Sequence, residues 1–392
     1  MLPCQIDPYL ISLKTTVTAC SPSGKNWIIK LAETPFYPEC GGQPSDLGTI
    51  DENEIISLRY SPDGTVEHLL SRPLNPGVSV VAKIDWDRRF DHMQQHSAQH
   101  LLTAVCKDNF GLQTTAFHLG RDRSDIELDN PSIPDATLEK IESKTNELIR
   151  ADLRIACREV DQREYAALKV RSRGLPDGFH GPVRLVEITG VDLNTCGGTH
   201  VSRTAELQAL KIIALEKIRG GTRVYFIAGG RILKFIGSTL AREKAITSVL
   251  SCGTDKHAET VAKLAEESKK ISRELKIAQT ELARRIGESL KPENGIAFHH
   301  TPTADMEYLM RIADSARKAF PESLVLITGG EEKGSGIFLL AGGEEEVKSA
   351  GHGVAEILGG RGGGSHGIFQ GKALKMENRR DAISFLLSKS GR

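Results

Sequence analysis

Two pairs of metal-type donors restrict this chain more than any other feature: His96 with His100, and Cys196 with His200, each spaced by four and a hundred positions apart. A pair of histidines four apart on a helix presents both imidazoles on one face, within reach of one ion. The same spacing also occurs on ordinary polar helix faces. His92 extends the series, but it would lie about 12 Å from His100 along a helix axis and cannot share an ion with it. In Cys196-Gly197-Gly198-Thr199-His200 the two glycines give the backbone the freedom of a tight ligand-bearing turn. Three imidazoles and one thiolate suit a single tetrahedral zinc ion. The fold is therefore expected to bring the two segments together. A closed four-ligand staple and an open catalytic site both fit this donor set.

Neighbouring residues narrow the chemistry. A zinc peptidase would carry glutamate after the first histidine, where Ser97 stands, and the H-x-E with P-C-x-x-C pattern of zinc deaminases is absent. The remaining cysteines (Cys4, Cys20, Cys40, Cys106, Cys157, Cys252) are scattered, so reduced thiols are expected rather than a disulfide scaffold. Lysine plus arginine (51) equals aspartate plus glutamate (51), so a nucleic-acid partner would have to be met by local patches. No export signal or membrane-length apolar run is read, which gives the expectation of a cytoplasmic chain without membrane contact.

The pattern along the 392 residues reads as α+β. Short β-branched and aromatic runs such as Trp27-Ile28-Ile29 and Val78-Ser79-Val80-Val81 predict a small β-rich, barrel-like domain over residues 1–85. Asp85 or Asp87 caps a predicted helix to about Asn109, closed by Gly111, which carries His96 and His100 into an α+β domain over 86–230. Val261, Leu264, Ser268, Ile271, Leu275, Ala278 and Leu282 form a heptad seam within a helical arm over 231–290. That helix either packs on its own domain or is a long arm that pairs or bridges domains. A compact α/β unit is expected over 291–392, with strands at Leu324–Ile327 and Ile337–Leu340 and a glycine-rich turn at Gly359–Gly364.

With these residues in view, the chain resembles the AlaX family of trans-editing proteins, related to the editing domains of alanyl- and threonyl-tRNA synthetases. Thr34 to Gly48 looks like the family's glycine-rich signature, His96 to Leu102 its HxxxH helix, and Asp192 to Val201 its CxxxH segment. Phe117-His118-Leu119-Gly120 is similar to the free-standing members. The remainder resembles the long form, whose arm and C-terminal DHHA1 domain are associated with tRNA binding and dimerisation. Cys40 departs from the small residue usual at its position. The resemblance implies one zinc per chain on His96, His100, Cys196 and His200. It implies hydrolysis of seryl-tRNA(Ala), with glycyl-tRNA(Ala) as a second candidate, and catalytic roles for Thr34 and Gln99, Thr34 facing the amino acid. It also implies tRNA contacts from Gly360, Arg361, Gly362, Gly363, Gly364 and Lys372. Such an ester is activated, so zinc can suffice without a strong general base. Three other readings stay open: editing of another aminoacyl-tRNA such as seryl-tRNA(Thr), a non-enzymatic tRNA-binding module with structural zinc, and a phosphoesterase, for which the required Asp-rich motif is not found.

Overall fold

A computed structural model describes every residue except 173, 176–178, 180, 391 and 392. The chain forms two compact units, Met1–Ala245 and Ile246–Arg392. No helix among the described residues is long and apolar enough to cross a membrane.

The first unit begins with a one-turn helix, α1 (Pro3–Ile6), and six strands: β1 (Ser12–Ser23), β2 (Asn26–Leu31), β3 (Gly48–Ile50), β4 (Asn53–Tyr60), β5 (Val66–Leu70) and β6 (Ser79–Ile84). They close into an antiparallel barrel in the order β1-β2-β5-β4-β3-β6. Closure depends on β1, which pairs with β6 through Ser12–Thr16 and with β2 from Val17 on. A bulge between Val17 and Ala19 bends the strand at the changeover. Alternating residues such as Val80, Ala82 and Ile84 of β6 fill the interior with Val17, Ile29, Ile50 and Leu70.

Helix α2 (Trp86–Phe110) follows, capped by the Asp85 carboxylate on Arg88 N–H (3.1 Å) and stopped by Gly111 in the left-handed conformation. Its sequence is polar, yet from His92 to Cys106 every residue is buried. Burial on all sides is tolerable because most of the polar groups are used, His92 Nδ1 excepted: Gln94 donates to Glu206 O (2.7 Å) and Gln95 to Ala228 O (2.9 Å). Around α2 lie β7 (Thr114–Leu119), β8 (Ser124–Leu128), α3 (Asp135–Arg150), β9 (Ile155–Val160), α4 (Gln162–Ala167), β10 (Val183–Ile188), β11 (Asp192–Thr195), β12 (Leu210–Ile218) and β13 (Gly221–Ala228). The strands form one sheet in the order β12-β13-β8-β7 and another in the order β11-β10-β9. Helix α3 turns Leu138, Ile141 and Ile149 into the shared core. Helix α5 (Gly230–Leu250) leaves this layer.

The barrel is fastened to α2 by a buried ion pair. Arg89 and Asp46 are fully buried; Arg89 Nε reaches both carboxylate oxygens (2.9 and 3.0 Å), while Nη1 and Nη2 donate to Pro8 O and Pro35 O. Asp46 also accepts from Tyr37 N–H (2.6 Å) and donates its own N–H to Tyr37 O. The segment Pro35–Asp46 is thereby fixed against the helix.

Thr34 is placed differently from the sequence expectation. It is buried in the barrel, with Oγ1 2.8 Å from His68 Nε2 and accepting from Phe36 N–H (3.3 Å). His68 Nδ1 must donate to Ile29 O (3.0 Å), so Nε2 is the acceptor and the Thr34 hydroxyl the donor. The hydroxyl is thereby engaged within the turn before Pro35.

The second unit holds α6 (His257–Ser289), β14 (Ile296–Thr301), α7 (Met306–Ala319), β15 (Leu324–Gly330), β16 (Gly336–Ala341), α8 (Glu344–Ile357), β17 (Arg361–Gly363), β18 (Ile368–Ala373) and α9 (Arg379–Ser390). The sheet runs β14-β15-β16-β18-β17, parallel between β14 and β15 and antiparallel elsewhere. Helices α6 and α7 cover one face and α8 and α9 the other. Two sequence expectations change here. The heptad seam is not how α6 packs within its unit: Val261, Leu264, Ile271, Leu275 and Leu282 are exposed, and the helix seats through Ala283 and Gly287. The glycine-rich segment is not a loop, since Arg361–Gly363 is a strand paired with β18. A Cβ at Gly360, Gly362 or Gly364 would come within 1.8, 2.6 or 2.0 Å of a carbonyl oxygen of the partner chain segment, so close backbone approach accounts for these glycines.

Two outcomes follow from the barrel. Replacing Asp46 by alanine strands a buried guanidinium and should cost about 3–5 kcal/mol in urea unfolding; a loss below about 1 kcal/mol would show that the pair does not fasten the barrel. Burial pushes the His68 imidazole down to about 4, whereas an unfolded chain titrates near about 6.5. The unfolded state therefore binds the extra proton between those values, and this part of the stability is lost as pH falls through that window and is constant above it. Histidine-resolved NMR should find His68 neutral with its proton on Nδ1 down to about pH 4, and Thr34→Val should destabilise the fold by about 1–3 kcal/mol; titration of His68 near its free value would contradict the assignment.

Candidate metal centre

Helix α2 carries His96 and His100 on one face, and the turn after β11 brings Cys196 and His200 opposite them. Donor atoms of all four lie within 4.8 Å of one another. Cys196 Sγ is 3.4 Å from His96 Nε2 and 3.3 Å from His200 Nε2. Each imidazole is held from behind at its other nitrogen. His96 Nδ1 meets Gln43 Oε1 (2.8 Å), His100 Nδ1 meets Asp192 Oδ2 (3.2 Å), and His200 Nδ1 meets Ser97 Oγ (3.1 Å). This leaves the Nε2 atoms facing inward, the arrangement in which outer hydrogen bonds orient metal-ligating histidines.

The supporting groups are themselves fixed. Gln43 Oε1 also accepts from Thr199 N–H (3.0 Å) and Gln43 Nε2 donates to Thr199 Oγ1 (2.8 Å), so one side chain joins the barrel, α2 and the cysteine turn. Gln43 reaches that point because Gly41 and Gly42 both take positive φ, closing a turn whose ends, Cys40 and Gln43, bond each other. Asp192 Oδ1 accepts from Arg171 Nε (2.7 Å), and Ser97 Oγ accepts from Val201 N–H (3.2 Å). Gly198 has no room for a side chain: a Cβ would stand 2.2 Å from His96 Cε1.

The electrostatics suit a cation. Burial opposes ionisation of Cys196, yet the His96 and His200 imidazoles beside it and hydrogen bonds from His100 and His200 hold the thiol well below its ordinary range. Burial and the neighbouring His96 push His200 down to about 3. Burial would lower His100 as well, but the hydrogen bond to Asp192 and the nearby Cys196 sulfur raise it to about 9. A thiol poised to ionise among crowded imidazoles is a set of soft and borderline donors, and these residues fit zinc.

His96, His100 and Cys196 form part of the wall of a cavity of about 350 Å³. Gln99 lines it too, donating to Thr103 Oγ1 (2.9 Å), which in turn accepts from Thr114 Oγ1 (3.2 Å). Phe117, Lys107, Arg171 and Cys40 also line it, the Phe117 ring 6.0 Å from that of His96. Thr34 is not among the lining residues. His92, one turn before His96, is buried with Nδ1 unpartnered and stays outside the cluster. A second grouping, His118 with Asp125 and Glu127, already has Arg223 against both carboxylates (3.4 and 2.6 Å). The roles of Gln43, Ser97 and Asp192 are not readable from spacing. Gln43 follows two glycines and Asp192 begins the cysteine segment, but only the folded chain shows which imidazole each one holds.

Comparison with known proteins agrees with this constellation. Residues 183–225, which include Cys196 and His200, match the family model described as threonyl and alanyl tRNA synthetase second additional domain. Alanyl-tRNA editing protein Aarsd1 of Mus musculus is 42% identical over 401 residues, covering 98% of this chain and 96% of its own length. Alanyl-tRNA editing protein AlaX-L of Pyrococcus horikoshii is 32% identical over 242 residues, 60% of this chain and 59% of that protein. Among solved structures, the C-Ala domain from Aquifex aeolicus alanyl-tRNA synthetase aligns with 26% of this chain and 96% of its own, at 19% identity and a TM-score of 0.22. Likeness at this level to the mouse protein, along nearly the whole of both chains, means that the chain belongs to the alanyl-tRNA editing protein family.

Proposed function

We propose that this protein is a zinc-dependent deacylase that hydrolyses the ester of seryl-tRNA(Ala), with glycyl-tRNA(Ala) as a second substrate, and that His96, His100, Cys196 and His200 hold the ion. The observation that carries this reading is that the four donors converge on one point and three of them, His96, His100 and Cys196, line a cavity. A bound zinc would supply Lewis-acid polarisation of the ester carbonyl and activation of water. The chain's own residues do the positioning. Gln43, Asp192 and Ser97 hold the three imidazoles, and Gln99 lines the cavity where its amide can meet the aminoacyl end. Lys107 brings positive charge to the same cavity, which suits a nucleotide phosphate, while Arg171 in the wall is paired with Asp108 and Asp192. The hydroxyls that line the cavity are those of Thr103, Thr114, Ser172 and Thr195, bonded Thr114 to Thr103 and Ser172 with Thr195, and a serine side chain would join one of these pairs. Such pairing favours serine over alanine, which would leave a polar group unmatched. The editing of alanyl-tRNA stated in the relatives' names supports tRNA(Ala) as the partner.

In the second unit we assign Arg361 and Lys372, directly opposite each other on β17 and β18, to phosphate contacts with tRNA, beside the backbone of Gly360, Gly362, Gly363 and Gly364. The exposed seam of α6 is assigned to pairing with a second copy of the chain.

Release of labelled serine from seryl-tRNA(Ala) tests the first assignment. A chelator or Cys196→Ser should abolish turnover, and Asp192→Asn, which weakens the support of His100 together with the contact to Arg171, should lower it about 10–100-fold. Undiminished activity in metal-free protein would refute zinc dependence, and turnover of seryl-tRNA(Thr) alone would transfer the activity to threonine-type editing. For the seam, sedimentation should give a dimer that Leu264→Glu with Leu275→Glu converts to a monomer; a wild-type monomer at micromolar concentration would dismiss the pairing.

A further inference from the structure

A second cavity of the first unit, about 610 Å³, is not used by the metal centre. Arg121, Arg123, Arg231 and Lys234 line it against two carboxylates, Asp91 and Asp122. Arg231 is only 6% exposed. Its Nε and Nη2 are held by Asp91 (2.8 and 2.7 Å), while its Nη1 is buried without a partner. An arginine fixed in this way, with one donor group unused, is set to receive an acceptor from outside the chain. Arg123 is exposed and lies over the Tyr225 ring at 3.8 Å. Arg121 and Lys234 are exposed and have no carboxylate partner among the described residues. Phe235, 43% exposed, adds an aromatic surface beside Lys234.

We infer that this cavity binds a backbone phosphate of the substrate tRNA near its unpaired 3′ end, with Phe235 against the adjoining base or ribose. Cationic groups combined with an accessible aromatic ring are the means by which proteins track single-stranded nucleic acid. The choice of occupant rests on the deacylase reading, which puts the aminoacylated 3′ end in the metal cavity. The β7–β8 hairpin joins the two places: Phe117 lines the metal cavity and Arg121, four residues on at the hairpin turn, lines this one. Four residues of chain reach at most about 13 Å, a distance that a few nucleotides of single strand cover. A nucleic-acid strand that follows the hairpin from the metal cavity would enter the cavity lined by Arg121 and Arg231.

The test is binding of an uncharged tRNA transcript over a range of salt, alongside deacylation kinetics, for wild type and Arg121→Ala with Lys234→Ala. Both residues are exposed and lie apart from the Arg231–Asp91 pair, and unfolding curves check that the fold is kept. Affinity for tRNA should fall about tenfold and the slope of log K against log salt should drop by about two, with Lys234→Arg alone retaining both. The ratio of kcat/KM on full-length seryl-tRNA to that on seryl-adenosine should fall about tenfold, the loss lying in KM. Unchanged tRNA affinity and salt slope would overturn the inference, as would a loss confined to binding of inorganic phosphate. Lost tRNA binding in the variant, in a protein whose wild type releases no serine, would uphold the site while refuting the deacylase reading.

Discussion

The contact on which the rest of the first unit depends is the buried pairing of Arg89 with Asp46. It joins the first turn of α2 to the segment that leaves the barrel, and every nitrogen of the guanidinium donates a hydrogen bond. A charge removed from water in this manner is tolerated only with its partner in place, so the position of the segment is specified rather than merely favoured. Three residues before Asp46, Gln43 uses that fixed position to hold His96 and Thr199 together. The barrel thus serves the metal centre from a distance, supplying one side chain that aligns donors from two other elements.

Helix α2 explains why so polar a sequence can lie at the centre of a unit. One face carries His96 and His100 toward the cysteine turn, and another reaches β13 through Gln95. Near its start Asp91 holds Arg231 from α5. A helix of leucines would pack as well but would carry no donors; here the hydrogen bonds that satisfy the buried groups are the same ones that orient them. The metal cavity and the basic cavity are consequently organised by one element.

Much of this was legible in the sequence, because the features concerned are local. The paired spacings of His96 with His100 and Cys196 with His200 are set by a helix turn and a short loop, and the bounds of α2 are written in Asp85 and Gly111. What could not be read depends on partners remote in sequence. Thr34 has a hydroxyl that would suit a ligand, but His68, 34 positions away, takes it. The glycines from Gly360 to Gly364 look the same whether they cradle a phosphate or let β17 lie close to β18, and the distinction lies in the neighbouring strand. The heptad pattern of α6 is genuine as a periodicity, yet periodicity does not say which face meets its own unit; Ala283 and Gly287, too small to register as a stripe, do so. Gln43, Ser97 and Asp192 escaped notice for the opposite reason, since common polar residues acquire meaning only from what they touch.

The claim that four residues from two distant segments form one zinc site is tested most directly by X-ray absorption at the zinc edge of the purified protein, with metal content measured on the same sample. The account predicts one zinc per chain with one sulfur at about 2.3 Å and three imidazole nitrogens at about 2.0–2.1 Å. A spectrum lacking the sulfur shell, or zinc well below one per chain after preparation without chelator, would contradict it.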